Sequence, residues 1–273
     1  MRACLSASAI MMAASVSLSA CATTAAPPTA QEAALTTQLE SRSLIPATAE
    51  ERAAIGRQDL LTQAAFWAEA HELNPADREA AAALSRVLRQ LGSGPRAIEV
   101  ARQALALHPE DTDLQAAYGL ALTSEGRGQQ AIEPLTRVTR SRPDDWRVIN
   151  ALGVALEQAG RSTAARARFQ EAMTLAPQEP SIISNLALSY ALAGEPAEAE
   201  SLLRRAMDND LATPQVRQNL ALVLALQGQF DEAERVALID STPEMAAANM
   251  EYVRSMLSSP RRWDSLNAAS LRN

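Results

Sequence analysis

Five glycines recur at a fixed interval of 34 residues, and this repeat limits what the chain can fold into. They stand at Gly92, Gly126, Gly160, Gly194 and Gly228. An alanine follows each of them by five residues, and a small residue precedes each by seven. A period of roughly 20 to 50 residues is typical of an array of repeated units rather than of one closed core.

The spacing inside each unit predicts a pair of antiparallel helices. In the clearest copy, Leu152 and Leu156 are one helical turn apart and line one face. Gly160 ends the first helix in a left-handed cap, and Ala165 packs where the two helices touch. Pro177 follows the second helix, where a proline disfavours further helix.

This pattern resembles the tetratricopeptide repeat (TPR), whose period is 34 residues. The resemblance implies an all-α fold, a right-handed α-solenoid of about five to six TPR helix pairs with a C-terminal capping helix. Composition agrees with it, because alanine supplies 57 of the 273 residues and aromatics only 3%. Alanine favours helices, whereas strands prefer β-branched and aromatic side chains.

The repeat register and the composition of the N-terminus together divide the chain into five segments. We predict a lipoprotein signal peptide (1–20), a flexible tether (21–43), a degenerate first repeat (44–77), five TPRs (78–247), and a capping helix with a tail (248–273). The five repeats start at positions 78, 112, 146, 180 and 214. The apolar pattern predicts that the capping helix itself covers residues 244–258.

The N-terminus is typical of an exported protein. Arg2 is followed by apolar or small residues up to position 20, as in a secretory signal peptide. The sequence Leu-Ser-Ala-Cys before and at Cys21 resembles the lipobox of bacterial lipoproteins, which implies cleavage before Cys21 and its acylation. Ala22 stands where an aspartate signals inner-membrane retention in enterobacterial lipoproteins, so the resemblance points to the periplasmic face of the outer membrane. An ordinary cleaved signal with a chance cysteine is the alternative.

Composition and motifs disfavour several classes of function. The net charge is −7 without any lysine, so the chain is a poor general binder of nucleic acid. Cys4, Cys21, His71 and His108 are its only thiols and imidazoles, too few for a disulfide framework or a typical zinc site. Both histidines lie near predicted helix C-termini, where histidine commonly caps carbonyls. We therefore predict no enzyme activity, no cofactor and no metal site.

The TPR resemblance also predicts a partner-binding groove. In TPR proteins, positions 2, 5, 6, 9, 12 and 13 of the first helix generally line the concave face. Asparagine at position 6 resembles a clamp for a bound backbone, because one amide both donates and accepts. The predicted groove residues are Asn150, Asn185, Leu188, Leu192, Gln218, Asn219, Leu222 and Leu226. Arg86 and Arg89 lie toward the other end, and packing of some of the leucines between helices stays an alternative.

A more specific pattern follows in the C-terminal part of the array. It consists of RQNLALVLALQGQFDEAE over 217–234, then Ala246-Ala247-Ala248-Asn249, Tyr252, Met256-Leu257 and Arg262-Trp263. The chain from about 78 to 263 thereby resembles the TadD family, the TPR lipoproteins of tight-adherence (Tad, or Flp) pilus assembly. The resemblance implies a pilotin-like scaffold that binds the Tad secretin or associated pilus-assembly proteins and is held at the membrane by its lipid. Alternatives are another envelope scaffold (barrel assembly, cell-wall enzymes or polysaccharide export), a cytoplasmic TPR co-chaperone, and an enzyme.

Overall fold

A computed structural model describes residues 48–208 and 211–258, and every regular element in these two ranges is a helix. The helices are α1 (Ala49–Ile55), α2 (Leu60–Leu73), α3 (Arg78–Gln90), α4 (Gly94–Leu107), α5 (Thr112–Ser124), α6 (Gly128–Ser141), α7 (Trp146–Gln158), α8 (Ser162–Leu175), α9 (Pro180–Leu192), α10 (Pro196–Asp208), α11 (Pro214–Leu226), α12 (Phe230–Ala237) and α13 (Pro243–Leu257). The predicted signal peptide with Cys21, the tether, and the Arg261-Arg262-Trp263 tail lie outside the described residues.

The helices form two layers. Each even-numbered helix from α2 to α12 packs against the odd-numbered helices that precede and follow it. From α3 to α13, each odd-numbered helix also contacts the next odd-numbered one, whereas among the described residues no even-numbered helix contacts another. The odd-numbered layer, which holds the first helix of every repeat, is therefore the inner side of a curved stack. This arrangement confirms the predicted all-α TPR solenoid.

Glycine turns the chain between the two helices of a repeat. The five recurring glycines have φ between 70° and 81°, in the left-handed region. After α3, the Ser93 N–H donates to the Leu88 carbonyl at 2.8 Å and the Gly92 N–H donates to the Arg89 carbonyl at 3.1 Å. These bonds satisfy carbonyls that the helix end leaves without partners, and the predicted left-handed caps are confirmed.

We expect Gly126→Ala to lower the free energy of unfolding by about 1–2 kcal/mol. The residue has φ +70°, and nothing lies within 4 Å of a Cβ built there, so backbone strain alone produces the loss. Gly56→Ala is the matched control, because Gly56 has φ −61° and its nearest atom would be 3.9 Å away. Urea unfolding should show the control unchanged or slightly more stable; equal losses in both variants would contradict the prediction.

Aspartates at the repeat joints cap the helices that follow. The side chains of Asp77 and Asp111 accept hydrogen bonds from the Ala80 and Leu114 N–H groups, each at 3.0 Å. Asp145 does the same for the N–H groups at the start of α7. A carboxylate there satisfies free N–H groups and complements the helix dipole, which accounts for the recurrence of acids at these positions.

The last repeat departs from the others. Its second helix, α12, has eight residues, whereas the other second helices, α2 to α10, have 13 or 14. The Ser241 hydroxyl donates to the Ala237 carbonyl at 2.6 Å and so caps the end of α12. Thr242 then accepts from the Met245 N–H, and α13 begins at Pro243, one residue before position 244 and five before 248.

No helix within residues 48–208 and 211–258 combines the length and apolar character that crossing a bilayer requires.

Candidate partner-binding groove

All eight predicted groove residues lie on three odd-numbered helices of the inner layer. Asn150 is on α7; Asn185, Leu188 and Leu192 are on α9; Gln218, Asn219, Leu222 and Leu226 are on α11. Leu192 and Gln218 are exposed, and the other six are half-buried. We use "groove" for the concave surface of the odd-numbered helices from α3 to α11.

The structure brings two of the predicted amides together. The Asn185 Nδ2 donates to the Asn150 Oδ1 at 3.1 Å, across the contact between α9 and α7. This bond fixes the orientation of both amides and leaves each of them further hydrogen-bonding capacity. No hydrogen bond joins Gln218 or Asn219 to another predicted groove residue in the described part of the chain.

Asn219, the equivalent asparagine one repeat further on, is not satisfied. Its Nδ2 is buried and has no hydrogen-bond partner among the described residues. The Ser184 Oγ on α9 is also buried without a hydrogen-bond partner among the described residues. Ser184, however, is fully buried and does not reach the groove. A hydrogen bond to this buried donor would remove a desolvation cost of about 1–3 kcal/mol. We call Asn150, Asn185 and Asn219 the amide column.

The four predicted leucines fall into two kinds. Leu222 and Leu226 are partly buried against the main hydrophobic core, as the packing alternative expected. Leu188 and Leu192 are not part of that cluster, and Leu192 is 67% exposed. The side chains of Leu188 and Leu192 are therefore the predicted groove leucines that lie outside the main core.

One carboxylate on the inner layer was not singled out from the sequence. Glu157, at position 12 of its repeat, accepts from the Ser162 hydroxyl at 2.6 Å and from the Ser189 hydroxyl at 2.8 Å. It therefore joins α7 to α8 and α9. Its partners are 5 and 32 residues away in the chain, and no local pattern signals the longer pairing.

Two arginines near the other end of the groove lack acidic partners. Arg86 is exposed and Arg89 half-buried on α3, and neither guanidinium makes an ion pair or hydrogen bond with a described residue. Burial, and then the charge of Arg86, lower the pKa of the Arg89 guanidinium below its ordinary value. The sequence already indicates that these arginines lack partners within their helix, because α3 carries no acid one turn from either residue. We call Arg86 and Arg89 the arginine pair.

The histidines and acids form no metal-binding cluster within residues 48–208 and 211–258. His108 Nε2 lies 2.9 Å from the Ala76 carbonyl oxygen, and so links the end of α4 to the segment before α3. His71 Nδ1 is buried without a partner in the described chain, so the expected carbonyl contact is not seen at that atom.

Comparison with protein families identifies the repeat. Three family models described as tetratricopeptide repeat match the chain, the first over 82–145 and 117–180, the second over 156–218 and the third over 214–238. Together they span 82–238, more than half of the 273 residues. The chain therefore belongs to the tetratricopeptide-repeat family, whose concave surfaces bind protein partners.

Solved structures with a similar fold include several of MamA. MamA from Desulfovibrio magneticus RS-1 is 20% identical with a TM-score of 0.50, over 64% of this chain and 93% of that one. Structures of MamA MSR-1 and MamA AMB-1 are both 24% identical with TM-scores of 0.48; they cover 55% and 56% of this chain and 87% and 96% of their own. The likeness to the first shows the fold alone. A search of curated protein sequences gave no match.

Proposed function

We propose that this protein is a lipid-anchored TPR scaffold on the periplasmic face of the outer membrane, acting as a pilotin-like factor in Tad (Flp) pilus assembly and secretion. Its partner is the Tad secretin or an associated pilus-assembly protein, held in the groove. The lipobox at Cys21 and the TadD-like pattern from 217 to 263 support this assignment. The chain itself acts by binding and not by catalysis.

The amide column is the observation that carries the groove-binding part of the proposal. Two of its amides are pre-oriented by their mutual bond, and the third has a buried donor without a partner. An unsatisfied donor reduces stability, so its presence favours a role in binding. Beside it, the exposed leucine of α9 supplies an apolar contact. An extended segment of a partner has backbone donors, acceptors and side chains that match this surface.

Because the protein is attached to the membrane by lipid, even a modest affinity of the groove is enough to hold a membrane-bound partner. Each buried methylene contributes about 0.8 kcal/mol, so several acyl chains hold the protein firmly at the bilayer. Confinement to the same membrane surface raises the effective concentration of a membrane-bound partner, and overall binding exceeds the affinity of the groove alone.

We expect Asn219→Ala to weaken partner binding without lowering the stability of the fold. Loss of one partner hydrogen bond should reduce recovery of the partner about tenfold. The free energy of unfolding should stay equal or rise, because an unsatisfied buried donor is removed. The matched control is Asn249→Ala, since Asn249 is exposed on α13 outside the groove.

The measurement is affinity capture from detergent-solubilised membranes of the native host, with partners quantified by mass spectrometry. Secretin or pilus-assembly peptides should dominate with the wild-type chain and with the control, and fall with Asn219→Ala. Capture of barrel-assembly, cell-wall or polysaccharide-export proteins instead would replace the Tad assignment with another envelope scaffold. Unchanged capture by Asn219→Ala would remove the amide column from the proposed interface.

We expect Cys21→Ser to abolish the lipid anchor. Without the thiol no lipid can be attached at this position, so the protein should lose palmitate labelling and leave the outer-membrane fraction. Cys4→Ser is the control, because residue 4 lies in the segment that the signal peptidase removes. Palmitate labelling that persists in Cys21→Ser, or wild-type protein found in the cytosol, would contradict the lipoprotein assignment.

A further inference from the structure

The arginine pair is conspicuous because the acids of its own helix and of α5 are already in ion pairs with other arginines. Glu79, on the first turn of the same helix, pairs with Arg52 at 2.8 Å. Asp113 on α5 pairs with Arg142 at 2.8 Å. These are the acids within the bounds of α3 and α5, and neither pairs with Arg86 or Arg89.

Arg86 and Arg89 are one helical turn apart at positions 9 and 12 of their repeat, on the inner-layer helix α3. The position-6 residues of the first three repeats are alanines, Ala83, Ala117 and Ala151, and they are almost buried. These small, buried side chains do not project into the groove. Two like charges held side by side without a carboxylate repel one another, and an anion placed between them relieves that repulsion.

We propose that the arginine pair binds the carboxylates of an acidic segment of the protein partner at the N-terminal end of the groove. This inference rests on the proposed use of the groove. The partner chain then lies along the inner layer, with acidic side chains at α3 and backbone and apolar contacts at α9 and α11. A guanidinium forms paired hydrogen bonds with a carboxylate in a fixed planar geometry, so the arrangement selects acidic sequences in one register.

A peptide fits this position better than a membrane surface does. The inner layer is concave, and Arg89 is half-buried within it. A flat bilayer contacts protruding side chains, whereas a carboxylate on a narrow extended chain can enter a concave surface. The chain as a whole has a net charge of −7, which repels acidic peptides. Any preference for acidic peptides must therefore come from a local group of positive charges.

The test uses two fluorescein-labelled peptides, one with alternating leucine and glutamate and the other with glutamine in place of every glutamate. Anisotropy titrations compare the full-length protein in detergent with the double variant R86Q/R89Q. The control is R96Q/R140Q, which changes net charge equally at exposed arginines of the even-numbered helices α4 and α6. Neither control arginine has an ion pair among the described residues.

We expect the wild type to prefer the glutamate peptide by about tenfold or more. R86Q/R89Q should lose that preference while its affinity for the glutamine peptide stays within about twofold. The control should retain the preference, and the thermal midpoint of R86Q/R89Q should not fall, since a repulsion has been removed.

Equal losses in R86Q/R89Q and the control, or no binding of the glutamate peptide at about 1 mM, would overturn the inference. So would an R86Q/R89Q defect that appears only on vesicles containing phosphatidylglycerol, which would point to lipid headgroups. If the glutamine peptide binds and Asn219→Ala weakens it while the arginine pair has no effect, groove binding stands and this inference fails. If neither peptide binds and no partner is captured, both fail.

Discussion

Replacing Phe169 with alanine should lower the free energy of unfolding by about 3–5 kcal/mol. Phe169 is 2% exposed and is among the largest fully buried side chains of the described chain. Its ring fills the space between α8 and α7 in the third of the five full repeats. Removing it leaves a cavity that rigid helices fill only partly.

The position of Phe169 also predicts the form of the unfolding curve. Repeat stability is approximately a sum of nearest-neighbour terms, so a defect in the middle repeat weakens the coupling between the two halves. We expect a broader or two-step urea transition by circular dichroism. Phe230→Ala is the control, because Phe230 is only partly buried at the start of the short helix α12. A loss below about 1 kcal/mol for Phe169→Ala would contradict this packing.

Enlarging Gly153 is the second change with a large expected effect. A Cβ built there would lie 2.5 Å from Cε1 and 2.6 Å from Cδ1 of Phe169. Valine adds still more volume, so Gly153→Val should destabilise by about 3 kcal/mol. Urea unfolding measures the loss. Gly119→Val should cost a similar amount, because Cγ and Cδ2 of the fully buried Leu135 lie 2.7 Å from a Cβ built there.

A double-mutant cycle separates this contact from a general intolerance of the helix. Gly153→Ala should destabilise the wild type but cost less in a Phe169→Leu background, where the ring has been removed. The two substitutions should therefore be non-additive by about 1 kcal/mol. Strict additivity would show that Gly153 is required for some other reason than the approach of Phe169.

The sequence predicted the helix pairs well because each repeat tests the same pattern again. Gly126 and Gly160 occupy left-handed caps, and Asp145 caps the next helix, as their local spacing indicates. These caps depend on interactions between residues a few positions apart, so one sequence is enough to predict them. The short helix α12 was not anticipated, because a fixed period assumes equal units, whereas Ser241 and Thr242 end one helix and begin the next early.

The groove was less predictable, since its details depend on contacts between repeats. Position in the repeat indicated Asn150 and Asn185, but their mutual hydrogen bond joins residues 35 positions apart. The hydrogen bond from Ser189 to Glu157 likewise joins residues of two different repeats. Burial also separated Leu192, which is exposed, from Leu226, which packs on the core, although the repeat register gives both the same position.

The central claim is that the concave layer binds another polypeptide. Site-specific photo-crosslinking in cells tests this claim most directly. A photoreactive amino acid at Leu192, which is 67% exposed on α9, should give a covalent adduct with a partner protein. The same group at Leu107, which is 57% exposed at the end of α4 in the outer layer, should give none. Adducts from Leu107 alone would contradict the account, because the partner would then bind the outer layer and not the groove.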